Sequence, residues 1–269
     1  MVQKINIEKC GTCLPTNEEG YIIFDNNISN VKAEWLEAAL EFVSFATNAF
    51  KDEIVTIYLQ GSVAVGTARE YFSDIDFLII GREELDQEVR GKLKVLAEDI
   101  NKKYPFIVSF DLKYFTKHDI LRRREKTWIK LNSVCLFGDD FVHEIEELKL
   151  GKDVAMMFGL LPSRLPELKK KIKEGIYNVH NTPALCRRTM KKILRAGFEL
   201  VSEREGCYTR DLYPCWKAFS KYYPEYSDIM YKVLELAINP THDIREVEEV
   251  FPFIEWLIVE AKNHRLLHE

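Results

Sequence analysis

A chain of 269 residues, 46% apolar and 30% charged, holds material for two modest domains or one large one, and its balance is that of a globular protein. No run approaches the roughly twenty apolar residues needed to cross a bilayer, and the N-terminus, MVQKINIEKC, lacks the apolar stretch of a secretory signal, so no membrane contact and a cytoplasmic location are expected. The net charge of -5 is uneven, with 19 Lys+Arg against 26 Asp+Glu over residues 1–150 and 19 against 17 over 151–269. An acidic chain of this kind suits long nucleic acid poorly and a small, particularly cationic, acceptor better.

Cys10 and Cys13 form a lone CxxC near the start, without a second CxxC or a His pair at zinc-finger spacing. With Cys135, Cys186, Cys207 and Cys215 scattered through so long a chain, all six are expected as reduced thiols, the alternative for the pair being a zinc knuckle or a redox couple. Val31 to Phe50 then carries Trp35, Ala39, Phe42 and Ala46 at three- and four-residue steps, which predicts a helix. Ile54 to Gln60 reads as a buried strand, Gly61-Ser62 as a tight turn, and Val63 to Ala68 as the start of a helix whose free amides face a phosphate. A second strand is predicted over Asp74 to Ile80. Side chains alternate across a strand, so Asp74 and Asp76 share one face while Ile75, Phe77 and Ile79 take the other.

Two carboxylates this close repel and raise one another's pKa unless a cation neutralises them, and Mg2+ is the usual hard cation for oxygen ligands bound together with phosphates. The implied chemistry is phosphoryl or nucleotidyl transfer, against the plainer reading of a surface turn capped by Asp74. Glu83 to Lys103 follows as a helix with Leu85, Val89, Leu93, Leu96 and Ile100 on one side. The strand Pro105 to Phe115 then sets Ile107, Ser109, Asp111, Lys113 and Phe115 on one face, where Asp111 calls for a metal, a hydrogen-bond partner or a salt bridge to Lys113. Arg122-Arg123-Arg124 reads as a solvated helix face, and Val134 to Phe137 as a short apolar segment stopped by Gly138.

The stretch from Ile57 to Ile80 resembles the nucleotidyltransferase superfamily that includes DNA polymerase beta, in which a Gly-Ser turn is followed about a dozen residues on by Asp-x-Asp. Here Ser62 and Asp74 are twelve positions apart. The resemblance implies that Asp74 and Asp76 are catalytic and bind metal, two Mg2+ ions being expected. It also implies a third carboxylate on a later strand, for which Asp111 is the candidate, and nucleotide binding at Gly61, Ser62 and Ser73.

From about Lys152 the pattern becomes helix after helix punctuated by prolines, which predicts an all-helical bundle of about five helices. The expected fold is therefore α+β, a mixed-sheet catalytic domain over residues 1–150 followed by a helical substrate- and nucleotide-binding domain over 151–269. Aminoglycoside nucleotidyltransferases are similar in arrangement. Within the predicted helix Ala184 to Glu205, Arg188, Lys191, Lys192 and Arg195 form one stripe, either a triphosphate-binding face, as in similar transferases, or a solvated one. The aromatic segment from Cys207 to Tyr226 offers Tyr208, Arg210 and Asp211 as candidate substrate contacts, while Leu212, Trp216 and Phe219 fall at core spacing.

The reading as a whole is an Mg2+-dependent nucleotidyltransferase moving a nucleoside monophosphate, AMP from ATP in the first instance, to a hydroxyl of a small molecule of the aminoglycoside type. The alternatives are a protein or RNA acceptor, or a non-catalytic, antitoxin-like nucleotide-binding partner protein.

Overall fold

The computed structural model describes residues 4–122, 125–178, 180–264 and 266, so Arg123 and Arg124 of the basic run lie outside the described residues. The chain divides into two compact units, residues 24–146 and residues 1–23 with 147–269. The expected division at residue 150 thus misses the first 23 residues, which belong with the helices. The reason is local. A two-residue strand, β1 (Leu14–Pro15), pairs antiparallel with a partner far along the chain, Cys207–Tyr208.

In the unit of residues 24–146, helix α1 (Ala33–Ala49) leads into β2 (Ile54–Gln60), a single helical turn α2 (Gly61–Ala64) and β3 (Ile75–Gly81). Helix α3 (Gln87–Lys103), β4 (Phe110–Thr116), α4 (Lys117–Arg122), α5 (Glu125–Asn132) and β5 (Ser133–Gly138) follow. The sheet order is β4-β3-β2-β5, with β3 and β4 parallel and the other two pairings antiparallel, so the sheet is mixed. Both faces are covered. Ile75, Phe77 and Ile79 pack with Trp35, Phe42 and Leu93 of α1 and α3, whereas Leu78 and Ile80 pack with Tyr58, Ile120 and Ile129 on the opposite face. That two-sided burial explains why β2 and β3 are apolar almost throughout.

The other unit is helical: α6 (Leu161–Lys173), α7 (Thr182–Glu199), the short α8 (Ser202–Glu205), β6 (Cys207–Tyr208), α9 (Leu212–Tyr222), α10 (Ser227–Ile238), the short α11 (Ile244–Glu248) and α12 (Phe251–Asn263). Five of the helices described here run eleven residues or more, and the predicted helix from Ala184 is interrupted after Glu199. Cys13 and Cys207 form a disulfide across the β1–β6 pair, which corrects the expectation of six reduced thiols and removes the alternative of a zinc or redox Cys10–Cys13 pair. The register sets Pro15 opposite Cys207 and brings the two cysteine Cα atoms to 5.7 Å, inside the range a disulfide requires. Cys10, Cys135, Cys186 and Cys215 are free. No helix of the described residues is long and apolar enough to cross a membrane.

Glu199 is a buried carboxylate within this unit, accepting hydrogen bonds from the amides of Met157 at 2.9 Å and Phe158 at 3.1 Å. Burial pushes its pKa up to about 7, while the amide bonds pull the other way. The folded pKa lies above the ordinary value of 4.5, so the folded state holds the proton more tightly and stability falls as pH rises through that window. Glu199→Gln does not titrate. Its melting temperature relative to wild type is therefore expected to climb from about pH 5 to about pH 8, and a flat difference in thermal melts across that range would contradict the shift.

Candidate active site

Four residues line up across the sheet at one end. Ser133 is opposite Gln60, Gln60 opposite Asp76, and Asp76 opposite Asp111, so one polar row crosses β5, β2, β3 and β4. Residues in register share a face. This row therefore continues the face of Leu78 and Ile80 out to the sheet end, where apolar packing gives way to polar groups. The row comes in two halves. Gln60 and Ser133 are buried and satisfy one another, Gln60 Nε2 donating to Ser133 Oγ at 3.0 Å while that hydroxyl donates to the Trp128 carbonyl at 2.9 Å. Asp76 and Asp111 make the other half, with Asp111 exposed.

Gly61 closes the turn over Asp76. Its φ of +72° is in the left-handed region that favours glycine, and a Cβ there would stand 2.9 Å from Asp76 Oδ2. The expected helix over Val63 to Ala68 is only the single turn α2, after which Gly66 turns the chain with a φ of +74°. The segment then returns to β3 by bonds of its own. The Ser73 hydroxyl accepts from the Arg69 amide at 2.9 Å, its carbonyl accepts from Val108 N at 3.1 Å, and Ile75 N donates to the Ser109 carbonyl at 2.9 Å. Ser73 is buried, and its hydroxyl braces the loop that delivers Asp74. Asp74 itself is exposed, one residue before the strand.

Burial raises the pKa of Asp76, and the negative charges of Asp74 and Asp111 raise it further, opposed by Lys113. The Lys113 ammonium stands 3.3 Å from Asp76 Oδ1. The salt bridge weighed for Asp111 is thus made to Asp76 instead, because Lys113 reaches back along the strand face it shares with Asp111. Among the described residues no three His, Cys, Asp or Glu side chains already form a metal cage. The donor set still fits a hard cation. It is all oxygen, it includes one half-buried carboxylate crowded by two like charges, and Mg2+ bound with a polyphosphate takes only one or two protein carboxylates. Asp76, with Asp74 and Asp111, would hold it.

In the helical unit the predicted stripe on α7 separates into two environments. Arg188 and Lys192 line a pocket shared with α6. Arg195 turns inward, its Nε donating to the Arg210 carbonyl at 3.2 Å, and burial followed by the Arg210 charge lowers its pKa to about 10, which leaves it cationic at neutral pH. Lys191 is half-buried. Tyr208 is 3% exposed and its buried hydroxyl has no hydrogen-bond partner among the described residues. The carboxylate of Asp211 accepts from Thr12 N at 2.8 Å, so it fastens the N-terminal segment. Sequence reading passed over Gln60, Ser133 and the Lys113–Asp76 pairing. The signal for Gln60 was its place at the strand end directly before Gly61.

Residues 41–138 match the family model for the nucleotidyltransferase domain, which spans the Gly-Ser turn and all three carboxylates. Residues 41–138 therefore form a nucleotidyltransferase domain. The chain's fold is similar to that of spectinomycin adenyltransferase AAD(9) from Enterococcus faecialis, solved with ATP and spectinomycin, at 12% identity and a TM-score of 0.55 over 85% of this chain and 98% of that one. Shorter overlaps occur with the toxin–antitoxin MntA-HpeT (17% identity, 48% of this chain, 95% of that chain, TM-score 0.30). A HEPN toxin–MNT antitoxin complex from Shewanella oneidensis gives another (16%, 53% and 98%, TM-score 0.26). No curated protein sequence matches the chain.

Gly61→Ala tests the closeness of turn and carboxylate. The left-handed backbone costs about 1–2 kcal/mol, and the added methyl displaces Asp76. Stability is expected to drop by that amount in denaturant melts, and transfer by about tenfold or more. Wild-type turnover in this variant would show that Asp76 need not hold that position.

Proposed function

We propose that the protein transfers AMP from ATP to a hydroxyl of a small polyhydroxylated acceptor of the aminoglycoside or aminocyclitol kind. The observation that carries this reading is the pairing of Asp76 with Asp111 at the sheet end, under the Gly61 turn. The likeness in fold to an adenyltransferase bound to ATP and spectinomycin supports the choice of nucleotide and acceptor class. In the reaction the acceptor oxygen attacks the α-phosphorus, the bond from that phosphorus to the α–β bridging oxygen breaks, and pyrophosphate leaves with the electron pair. Asp111, exposed at the end of the row, helps to take the acceptor proton. Ser62 and the Gly61 turn orient the β- and γ-phosphates. Mg2+ held by Asp74, Asp76 and Asp111, two ions being proposed, supplies charge neutralisation on the triphosphate. Lys113 balances Asp76 in the metal-free protein, a role that a bound cation would take over.

Within the helical unit, Arg195 and Arg210 are proposed as a cationic pair suited to phosphate oxygens, since they stand together beside the Tyr208 hydroxyl. The acceptor is read as neutral or cationic from the acidity of the first 150 residues.

Asp76→Asn is expected to lower pyrophosphate release from ATP and Mg2+ by about a hundredfold or more, since it removes a metal ligand and little volume. The same change removes a charge that burial and two neighbours disfavour, so the metal-free protein should melt no lower than wild type. Asp111→Asn should lower turnover with a smaller effect on ATP binding. Release assays across a panel of aminoglycosides, aminocyclitols and simple polyols check the acceptor, and turnover by Asp76→Asn near the wild-type rate would remove the assignment.

A further inference from the structure

The helical unit contains a pocket to which the proposed reaction gives no role. It lies between α6 and α7 and has a volume of about 230 Å³. Its apolar wall is made by Leu161, Leu165, Leu185 and Ile254, all buried. Against that wall stand four cations, Arg164, Lys171, Arg188 and Lys192, and a single carboxylate, Glu167. The carboxylate is already engaged on both oxygens, with Arg164 Nη1 at 3.2 Å from Oε2 and Lys171 Nζ at 2.6 Å from Oε1. Arg188 and Lys192 make no ion pair or hydrogen bond among the described residues. Lys192 is half-buried, and burial, with Arg164 and Arg188 nearby, pulls its ammonium below the ordinary lysine range.

A solvated basic face spreads its charges outward into water, where they are screened. Here cations converge on a concave, apolar-walled space with too little negative charge to balance them, and like charges so placed repel. A bound anion removes that cost. We propose that this pocket binds a small organic anion, its apolar body against the leucine wall and its phosphate or carboxylate head between Arg188 and Lys192. A planar guanidinium beside a compact ammonium suits either head group. The site lies wholly within the helical unit, so it stands or falls separately from the acceptor assignment.

Isothermal titration of the full-length protein with octyl phosphate, octanoate, octylamine and inorganic phosphate tests the proposal. Octyl phosphate and octanoate should both bind, inorganic phosphate more weakly for want of the apolar body, and octylamine not at all. Lys192→Met and Arg188→Met, which keep most of the side-chain length, should each weaken octyl phosphate binding by about tenfold or more. Lys192→Arg should keep it, which separates loss of charge from loss of fold. Equal affinity in wild type and Lys192→Met would overturn the proposal, as would binding of octylamine as tight as that of octanoate. Displacement of octyl phosphate by ATP would also overturn it, because the pocket would then belong to the nucleotide.

Discussion

A half-buried carboxylate with a like charge on either side is the feature around which the catalytic unit is arranged. Asp76 has to stay at the sheet end, partly out of water, although burial, Asp74 and Asp111 all disfavour its ionised form. The surroundings lower that cost without capping the carboxylate. Lys113 offers an ammonium that is 42% exposed, a partly solvated partner and not a buried one. Gln60 and Ser133 are bonded to each other, which keeps two neutral polar groups from occupying the carboxylate permanently. Gly61 has no side chain to stand in its way. An optimally stable sheet would place an apolar residue in register with Gln60. An acid there lowers stability, a cost that the role proposed for Asp76 would account for.

The helical unit is fastened differently. Three polar attachments join parts of the chain distant in sequence: the Cys13–Cys207 disulfide, Thr12 on the Asp211 carboxylate, and Met157 and Phe158 on Glu199. The first two tie the N-terminal segment to the segment before α9, next to Arg195 and Arg210. A disulfide closing so long a loop acts chiefly on the unfolded chain, by the loop-entropy account. Glu199 acts within the fold, and an unpaired carboxylate at its depth would be costly.

Periodicity and alternation made much of the catalytic unit legible. The two-sided sheet showed in the apolar runs of Ile54–Leu59, broken only by Thr56, and Phe77–Ile80, and the candidate site in a Gly-Ser turn set a dozen residues before Asp-x-Asp. What remained hidden depends on pairings that no local pattern encodes. Lys113 is two residues from Asp111 in the chain, yet parallel pairing gives its ammonium to Asp76 on the next strand. Cys13 and Cys207 are 194 residues apart, and only the β1–β6 register brings them together. Asp211 looked like a free carboxylate among aromatic residues because its partner, Thr12, is at the other end of the chain. Ser73 shows the reverse. Its bond to the Arg69 amide is only four residues long, but a serine beside a candidate metal-binding aspartate invites a ligand-binding reading when its hydroxyl closes a loop.

Each unit on its own carries an unbalanced charge. In residues 24–146 three carboxylates gather around one lysine. In the helical unit four cations share a pocket with one glutamate, whereas Arg195 and Arg210 have the carboxylates of Asp211 and Glu199 nearby. Like charges gathered in this way cost free energy in the unliganded protein. The metal of the proposed reaction would answer the first excess, and the anion proposed for the pocket the second. The partly apolar lining around the four cations of the pocket differs from the environment of Arg195 and Arg210. The chemistry of the pocket wall, rather than the count of charges, is what separates a site for an organic anion from a continuation of the phosphate site.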